Sequence, residues 1–346
     1  MDQRSRTKNG RPMARGLAGA LVLLLRAGIA PAADKVTFGT NWKAEAEHGG
    51  YYQALADGTY ARYGLDVTIR QGGPQVNHSQ LLAAGRIDFN MGGNLFSQFN
   101  FLQNKVPVVT VAAIFQKDPQ VLLAHPGSGI RSFADLKGRT IFLSNDGRLT
   151  FWLWLKQVYG LDDSQIKPYT FNPAPFLADK NSVQQGYVTS EPFAIRKQGG
   201  FDPVVLVLAD AGYDTYSTTI ETSAKLVKEN PDLVQRFVDA TIEGWYNYLY
   251  GDNRKANELI KKDNPEMDDD QIAYSIEAMK NYGIVDSGDA LTLGIGAMTK
   301  ERWKSFFEKA VGWGVYPPSL PYEEGYTLQF VNKGHGLDLK KRLTGQ

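Results

Sequence analysis

The chain has 346 residues, too many for one core of usual size and enough for two lobes. A formal net charge of +1 argues against a nucleic-acid binder, which concentrates basic charge, and 42% hydrophobic with 12% aromatic residues fits a folded chain rather than a disordered one. The absence of cysteine excludes a disulfide framework, thiolate chemistry, a Cys-based metal site and a lipid-attachment cysteine.

Residues 1–33 differ in kind from the rest. Arg4, Arg6, Lys8, Arg11 and Arg15 give a basic start, Gly16 to Leu25 an apolar run, and Ala30-Pro31-Ala32 a small-residue end. This pattern predicts a secretory signal over residues 1–32, cleaved after Ala32 or Ala33, because the apolar run is too short to span a bilayer. Arg26 is its one imperfection, and Met13 is an alternative start that leaves a tidier signal. The reading is export to the periplasm as a soluble protein without a lipid anchor.

Val36 to Gly39 alternates as a strand, and Tyr51 to Tyr60 reads as a helix entered through Gly49-Gly50. The intervening loop therefore lies where a strand's carboxyl end meets a helix's amino end. In open α/β sheets small ligands bind in that crevice, where helix N–H groups and loop side chains converge. An indole, an imidazole and two tyrosines crowded there point to a flat aromatic ligand, with Asn41, Trp42, His48, Gly49 and Tyr51 as candidate contacts.

The Asn41-Trp42 pair, His48, the Gly49-Gly50 helix start and the Gly64-Leu65-Asp66-Val67 segment resemble the solute-binding proteins of ABC importers. The resemblance covers most of the mature chain and is strongest to the branch with the thiamine-precursor pyrimidine binders and the yeast pyrimidine synthases. It implies a two-lobed α/β periplasmic binding protein fold of type II. Residues 33–115 and 207–346 would form the first lobe, completed by a helical carboxyl-terminal third, and residues 116–206 the second, with two crossovers between them. It also implies a monomer without a cofactor, partnered by a membrane permease and an ATPase.

Further along, Gly64 to Ile69 is a strand, Gln71 to Pro74 a turn, Gln75 to Ala84 a helix and Gly85 to Phe89 a strand entered by a glycine turn. This βαβ rhythm predicts a mainly parallel sheet. In Met91-Gly92-Gly93-Asn94, glycines before a helix suit either a ligand approaching the backbone or a plain tight turn. The resemblance selects the first, making Gly92, Gly93 and Asn94 candidates. Val106 to Ile114 reads as a buried strand, with the first crossover near Phe115.

In the expected second lobe, Thr140 to Leu143 is a strand, Ser144 to Gly147 a polar turn offering Asn145, and Thr150 to Tyr159 a helix. Arg148 reads as the surface partner of Asp146, and Trp152 and Trp154 as packing residues. Gly186 to Pro192 resembles the family's strand-then-Glu-Pro signature, which adds Tyr187 and Glu191. An ionised Glu191 accepts hydrogen bonds and so suits a ligand edge rich in N–H donors, such as an aminopyrimidine; the alternative is a glutamate that merely complements a helix dipole. Pro203 to Leu208 is an apolar strand and return crossover, and Asp210 to Asp214 a hinge-side segment. From Thr222 the chain turns helical, with helices starting near Asn230-Pro231, Asn253, Asp268 and Thr299 and a basic surface tail after Tyr326. Asp268-Asp269-Asp270 lacks calcium-loop spacing.

No nucleophile elbow, phosphate loop or paired-histidine metal motif occurs. The resemblance offers one enzymatic alternative, a pyrimidine synthase that consumes a lysine bearing pyridoxal phosphate. Alignment along Gly85 to Asp88 puts Gly92 where that lysine stands and Phe96 where the synthase has histidine, so the chain reads as a binder. Relatives bind riboflavin, sulfonates, nitrate or aromatic acids, and these are the other ligands in view.

Overall fold

The computed structural model describes residues 32–73 and 76–345. All but the last residue of the expected export signal, and the helix start expected at Gln75, lie outside those residues.

The first of two five-stranded sheets holds β1 (Asp34–Gly39), β2 (Leu65–Arg70), β3 (Phe89–Asn94), β4 (Val108–Phe115) and β10 (Ser217–Ser223), in the order β2-β1-β3-β10-β4. The second holds β5 (Gln120–Ala124), β6 (Ile141–Leu143), β7 (Ile166–Pro168), β8 (Val183–Tyr187) and β9 (Val204–Val207), in the order β7-β6-β8-β5-β9. Each sheet alternates with helices, so the chain forms two α/β lobes. β1 lies parallel to β2 and β3, and β6 parallel to β7 and β8. β10 is antiparallel to β3 and β4, and β5 antiparallel to β8 and β9. Each sheet is therefore mixed but mainly parallel in strand direction: four of its five strands run one way, and β10 in the first and β5 in the second run against them. The physical reason is the pair of crossovers: β4 leaves one sheet where β10 enters it, so the two run in opposite senses, and β5 and β9 do the same in the other.

Two details depart from the sequence reading. The stretch expected as the return crossover stays in the second sheet as β9, an edge strand whose Val205 and Leu206 pair with Leu123 and Leu122, and the chain crosses afterwards. β10 has no counterpart in the sequence reading, because its residues are polar. Six of its seven residues are nevertheless buried, and two of their hydroxyls bond to backbone carbonyls: Ser217 Oγ donates to Gly93 O (2.8 Å) and Thr222 Oγ1 to Asp88 O (2.7 Å).

Helix Pro231–Tyr250 packs the first lobe. Asn230 caps it by accepting from Leu233 N–H (3.2 Å), and Leu233, Val234, Phe237, Val238, Ile242 and Trp245 form its buried stripe. Phe237 stacks on Phe89 at 4.1 Å. The helix crosses Gly49–Ala56 at backbone contact: a Cβ on Gly244 would stand 2.3 Å from Gly50 O, and one on Gly50 2.2 Å from the Trp245 ring. Tyr51 to Tyr60 breaks into Gly49–Ala56 and Thr59–Arg62, since Gly58 takes a left-handed turn (φ 76°). Asp268 and Thr299 cap helices Asp269–Asn281 and Lys300–Gly312. The tail forms helix Leu337–Thr344 on Pro231–Tyr250, with His335 Nε2 3.3 Å from Glu243. Among the described residues no helix is long and apolar enough to cross a membrane.

Candidate functional site

β1 ends at Gly39, and the following loop is fixed from both sides. Thr40 Oγ1 donates to Trp42 O (2.8 Å), and Gly72 N–H, just past β2, donates to the same oxygen (2.9 Å). Only glycine fits at position 72, where a Cβ would meet Thr40 O at 2.5 Å. The Trp42 indole thus reaches over the sheet ends and meets Phe171, from the loop after β7, at 5.6 Å between ring centroids. Phe171 is held at φ 67°, a conformation costly for a bulky residue, which its place against Trp42 maintains. Beneath these rings a cleft of about 820 Å³ lies between loops of both sheets.

Six of the eleven candidates line this cleft: Asn41, Trp42 and Gly93 from the first lobe, Asn145, Tyr187 and Glu191 from the second. The other five do not. His48 is buried behind Asn41, its Nε2 3.1 Å from Asn41 Oδ1, and burial drives its pKa down to about 3, so it is neutral and orients a cleft residue. Gly49 faces the Tyr248 ring, 2.0 Å from where a Cβ would be, and serves helix packing. Tyr51 is a core ring between Phe38 (4.3 Å) and Trp245 (6.0 Å). A Cβ at Gly92 would lie 2.1 Å from Glu221 Oε1, so this glycine admits β10 rather than a ligand. Asn94 caps helix Leu95–Gln103 through Phe96 N–H (3.0 Å), and Leu95 N–H is taken by Thr215 Oγ1 (3.3 Å). The first two N–H groups of that helix are therefore taken.

Glu191 is held from two directions: Tyr169 O–H donates to Oε1 (3.0 Å) and Tyr187 N–H to Oε2 (2.7 Å). Burial nevertheless raises it to about 7, because these donors replace only part of its lost hydration. Glu45, on the loop after Trp42, is pushed well above the usual carboxylate range, first by burial and then by Glu47 and Glu191. Glu47 accepts from the Thr189 hydroxyl across the lobes and lies at about 7, chiefly through burial. Asp146 opens onto the cleft, where desolvation lifts it to about 6, and among the described residues it makes no ion pair with Arg148. Among the described residues no Lys or Arg side chain lines the cleft, and no cluster of ligating residues suits a metal ion.

Glu45, Tyr169 and Phe171 are cleft residues that the sequence reading passed over, and Asp146 is one that it assigned to a surface pair with Arg148. Glu45 lies inside the very stretch that carries Trp42, but a glutamate near a helix start reads as a dipole partner. Tyr169 and Phe171 flank a loop with no glycine signal, and only the approach of the lobes brings them to Trp42.

Other contacts join the lobes. Tyr274 O–H donates to Val188 O (3.1 Å), Gln271 Nε2 to Ser190 O (3.3 Å) and Asn100 Nδ2 to Leu149 O (3.2 Å), so the chain stands closed around the cleft.

Residues 45–255, more than half of the chain, match the family model described as NMT1/THI5 like. The riboflavin-binding protein RibY of Chloroflexus aurantiacus is 24% identical over 316 residues, 88% of each chain. A 4-amino-5-hydroxymethyl-2-methylpyrimidine phosphate synthase of Schizosaccharomyces pombe is 31% identical over 111 residues, 31% of each chain. Among solved structures, the periplasmic aliphatic sulphonate binding protein SsuA of Escherichia coli aligns with a TM-score of 0.62 and 15% identity, over 84% of this chain and 91% of that one.

Proposed function

Because the chain belongs to the NMT1/THI5-like family and has the periplasmic binding protein fold, we propose that it is an extracytoplasmic solute-binding protein delivering a small planar nitrogen heterocycle, of thiamine-precursor pyrimidine type, to an ABC importer. One observation carries the reading: Trp42 and Glu191, from opposite lobes, face the same cleft, whose described wall contains no Lys or Arg. The ring lies against Trp42, with Phe171 closing the far edge; aromatic contacts of this kind add roughly 0.5–1.5 kcal/mol beyond burial. Glu191, fixed by Tyr169 and Tyr187, keeps lone pairs for N–H donors on the ligand. Asn41 and Asn145 offer amides, and Gly93 its backbone. Closure of the lobes buries the ligand, and the permease and ATPase read the closed form.

Synthase chemistry does not fit. A lysine at Gly92 would drive its side chain through Glu221 and Thr219, whose oxygens lie 2.1 and 2.4 Å from a Cβ there. Pyridoxal phosphate therefore has no attachment point at that position, and Phe96 is a buried core ring.

A second reading, a flavin, is favoured by the cleft volume of about 820 Å³, ample for a tricyclic ring, and by the likeness to RibY. Native mass spectrometry of the purified protein, then thermal shift with 4-amino-5-hydroxymethyl-2-methylpyrimidine, riboflavin and an alkanesulfonate, separates the two. The pyrimidine should raise the melting temperature and Glu191→Gln should abolish the rise. Stabilisation by riboflavin alone would select the flavin, and stabilisation by the sulfonate alone would refute a nitrogen heterocycle.

A further inference from the structure

The walls of the cleft carry more carboxyl groups than a neutral ring requires. Glu45 is only 5% exposed, yet it borders the cleft. It stands at the start of the single turn Ala46–His48 but makes no capping bond, which removes the ordinary reason for an acid there. No donor among the described residues reaches its carboxylate. Lys43, two residues away, is turned outward to Glu266 (2.8 Å). The neighbouring acids Glu47 and Glu191 each have a donor, so of the two that line the cleft, Glu45 and Glu191, Glu45 is the one whose carboxylate no protein donor holds. From the other lobe, Asp146 crosses the cleft: a Cβ on Gly93 would sit 3.3 Å from its Oδ1. His78, the histidine in the lining, spends Nδ1 on Thr40 O (2.8 Å), and desolvation lowers its pKa, so it supplies no positive charge.

Closing the lobes thus brings together acids that no protein cation answers. Ionising the buried Glu45 without a partner is expensive, and Asp146, open to the cleft, adds a second acid, so an occupant bringing positive charge gains what the empty cleft lacks, and an anion adds to the cost. We propose that Glu45 and Asp146 make the cleft a receptor for a cation: besides its planar ring, the ligand presents a protonated amine, an amidinium or a quaternary nitrogen, and sulfonate-type anions are excluded. This rests on the binding-protein reading but not on the pyrimidine as the ligand. The shared fold with SsuA does not carry its ligand class across, because specificity lies in the wall residues.

The test uses two series of matched probes on the purified protein, unfolded and refolded to remove bound ligand. Calorimetry at pH 7.5 compares benzamidine, benzamide and benzenesulfonate, which share a ring and differ in charge. It also compares 4-amino-5-hydroxymethyl-2-methylpyrimidine with its 5-aminomethyl analogue. The cation of each series should bind about tenfold tighter than its neutral partner, and benzenesulfonate should not bind. Glu45→Gln, nearly isosteric, should remove the preference while changing affinity for the neutral probes by less than about threefold; Asp146→Asn serves as the second variant should Glu45→Gln unfold. If the pyrimidines fail to bind but benzamidine binds through Glu45, the ligand named above is wrong and the cation site stands. Equal affinity for charged and neutral partners, binding of neither cation, binding of benzenesulfonate, or an equal loss for all probes in the folded variant would overturn it.

Discussion

Glu47→Gln should stabilise this protein in alkaline buffer and do little in acid. Glu47 is 1% exposed, its second oxygen has no partner, and its carboxyl sits at about 7 against an ordinary 4.5. A folded-state pKa raised above the unfolded one means that the folded chain holds its proton more tightly. The associated stability is complete below pH 4.5 and is lost as pH rises through about 7. At pH 8 the ionised, buried group costs about 3 kcal/mol relative to its neutral form. Glutamine keeps the shape and still accepts from the Thr189 hydroxyl, but never ionises. Urea melts of both proteins at pH 4.5, 6 and 8 should therefore show a stability gap near zero at the lowest pH, opening to about 3 kcal/mol at the highest. A gap of one size at all three pH values would refute the argument, since packing or hydrogen bonding, not ionisation, would then be its source.

Three other substitutions separate binding from folding. Trp42→Ala should weaken ligand binding by about tenfold while moving the melting temperature little, because the indole faces the cleft; unchanged affinity in titration calorimetry would remove Trp42 from the site. Gly244→Ala should cost about 3 kcal/mol or prevent folding, since its Cβ would fall 2.3 Å from Gly50 O; a melting temperature within a degree of the parent would contradict that crossing. Lys197→Ala breaks an ion pair with Asp268 across the lobes, but both side chains are about half exposed, so affinity should change less than about threefold. A larger loss would mean that this pair governs closure.

Short-range signals in the sequence specify the strand–loop–helix at Asn41 to Gly50, the Glu191-Pro192 helix start and the caps at Asn230, Asp268 and Thr299. Each depends on residues within a turn or two of one another, and capping and φ restriction act over that range. The central strand β10 is of another kind. Ser217, Thr219, Glu221 and Thr222 look like a solvated segment until β3 and β4 enclose them and pair with their backbone. The same holds for the division of labour in the first crevice. Asn41 and His48 are equally plausible ligand groups in sequence, but the turn Ala46–His48 packs against helix Asp269–Asn281, and His48 lies buried behind Asn41. The meeting of Trp42 with Phe171, and of Glu45 with Glu191, joins residues more than a hundred positions apart. Burial and charge proximity are properties of the closed pair of lobes, and no local pattern in the chain encodes them.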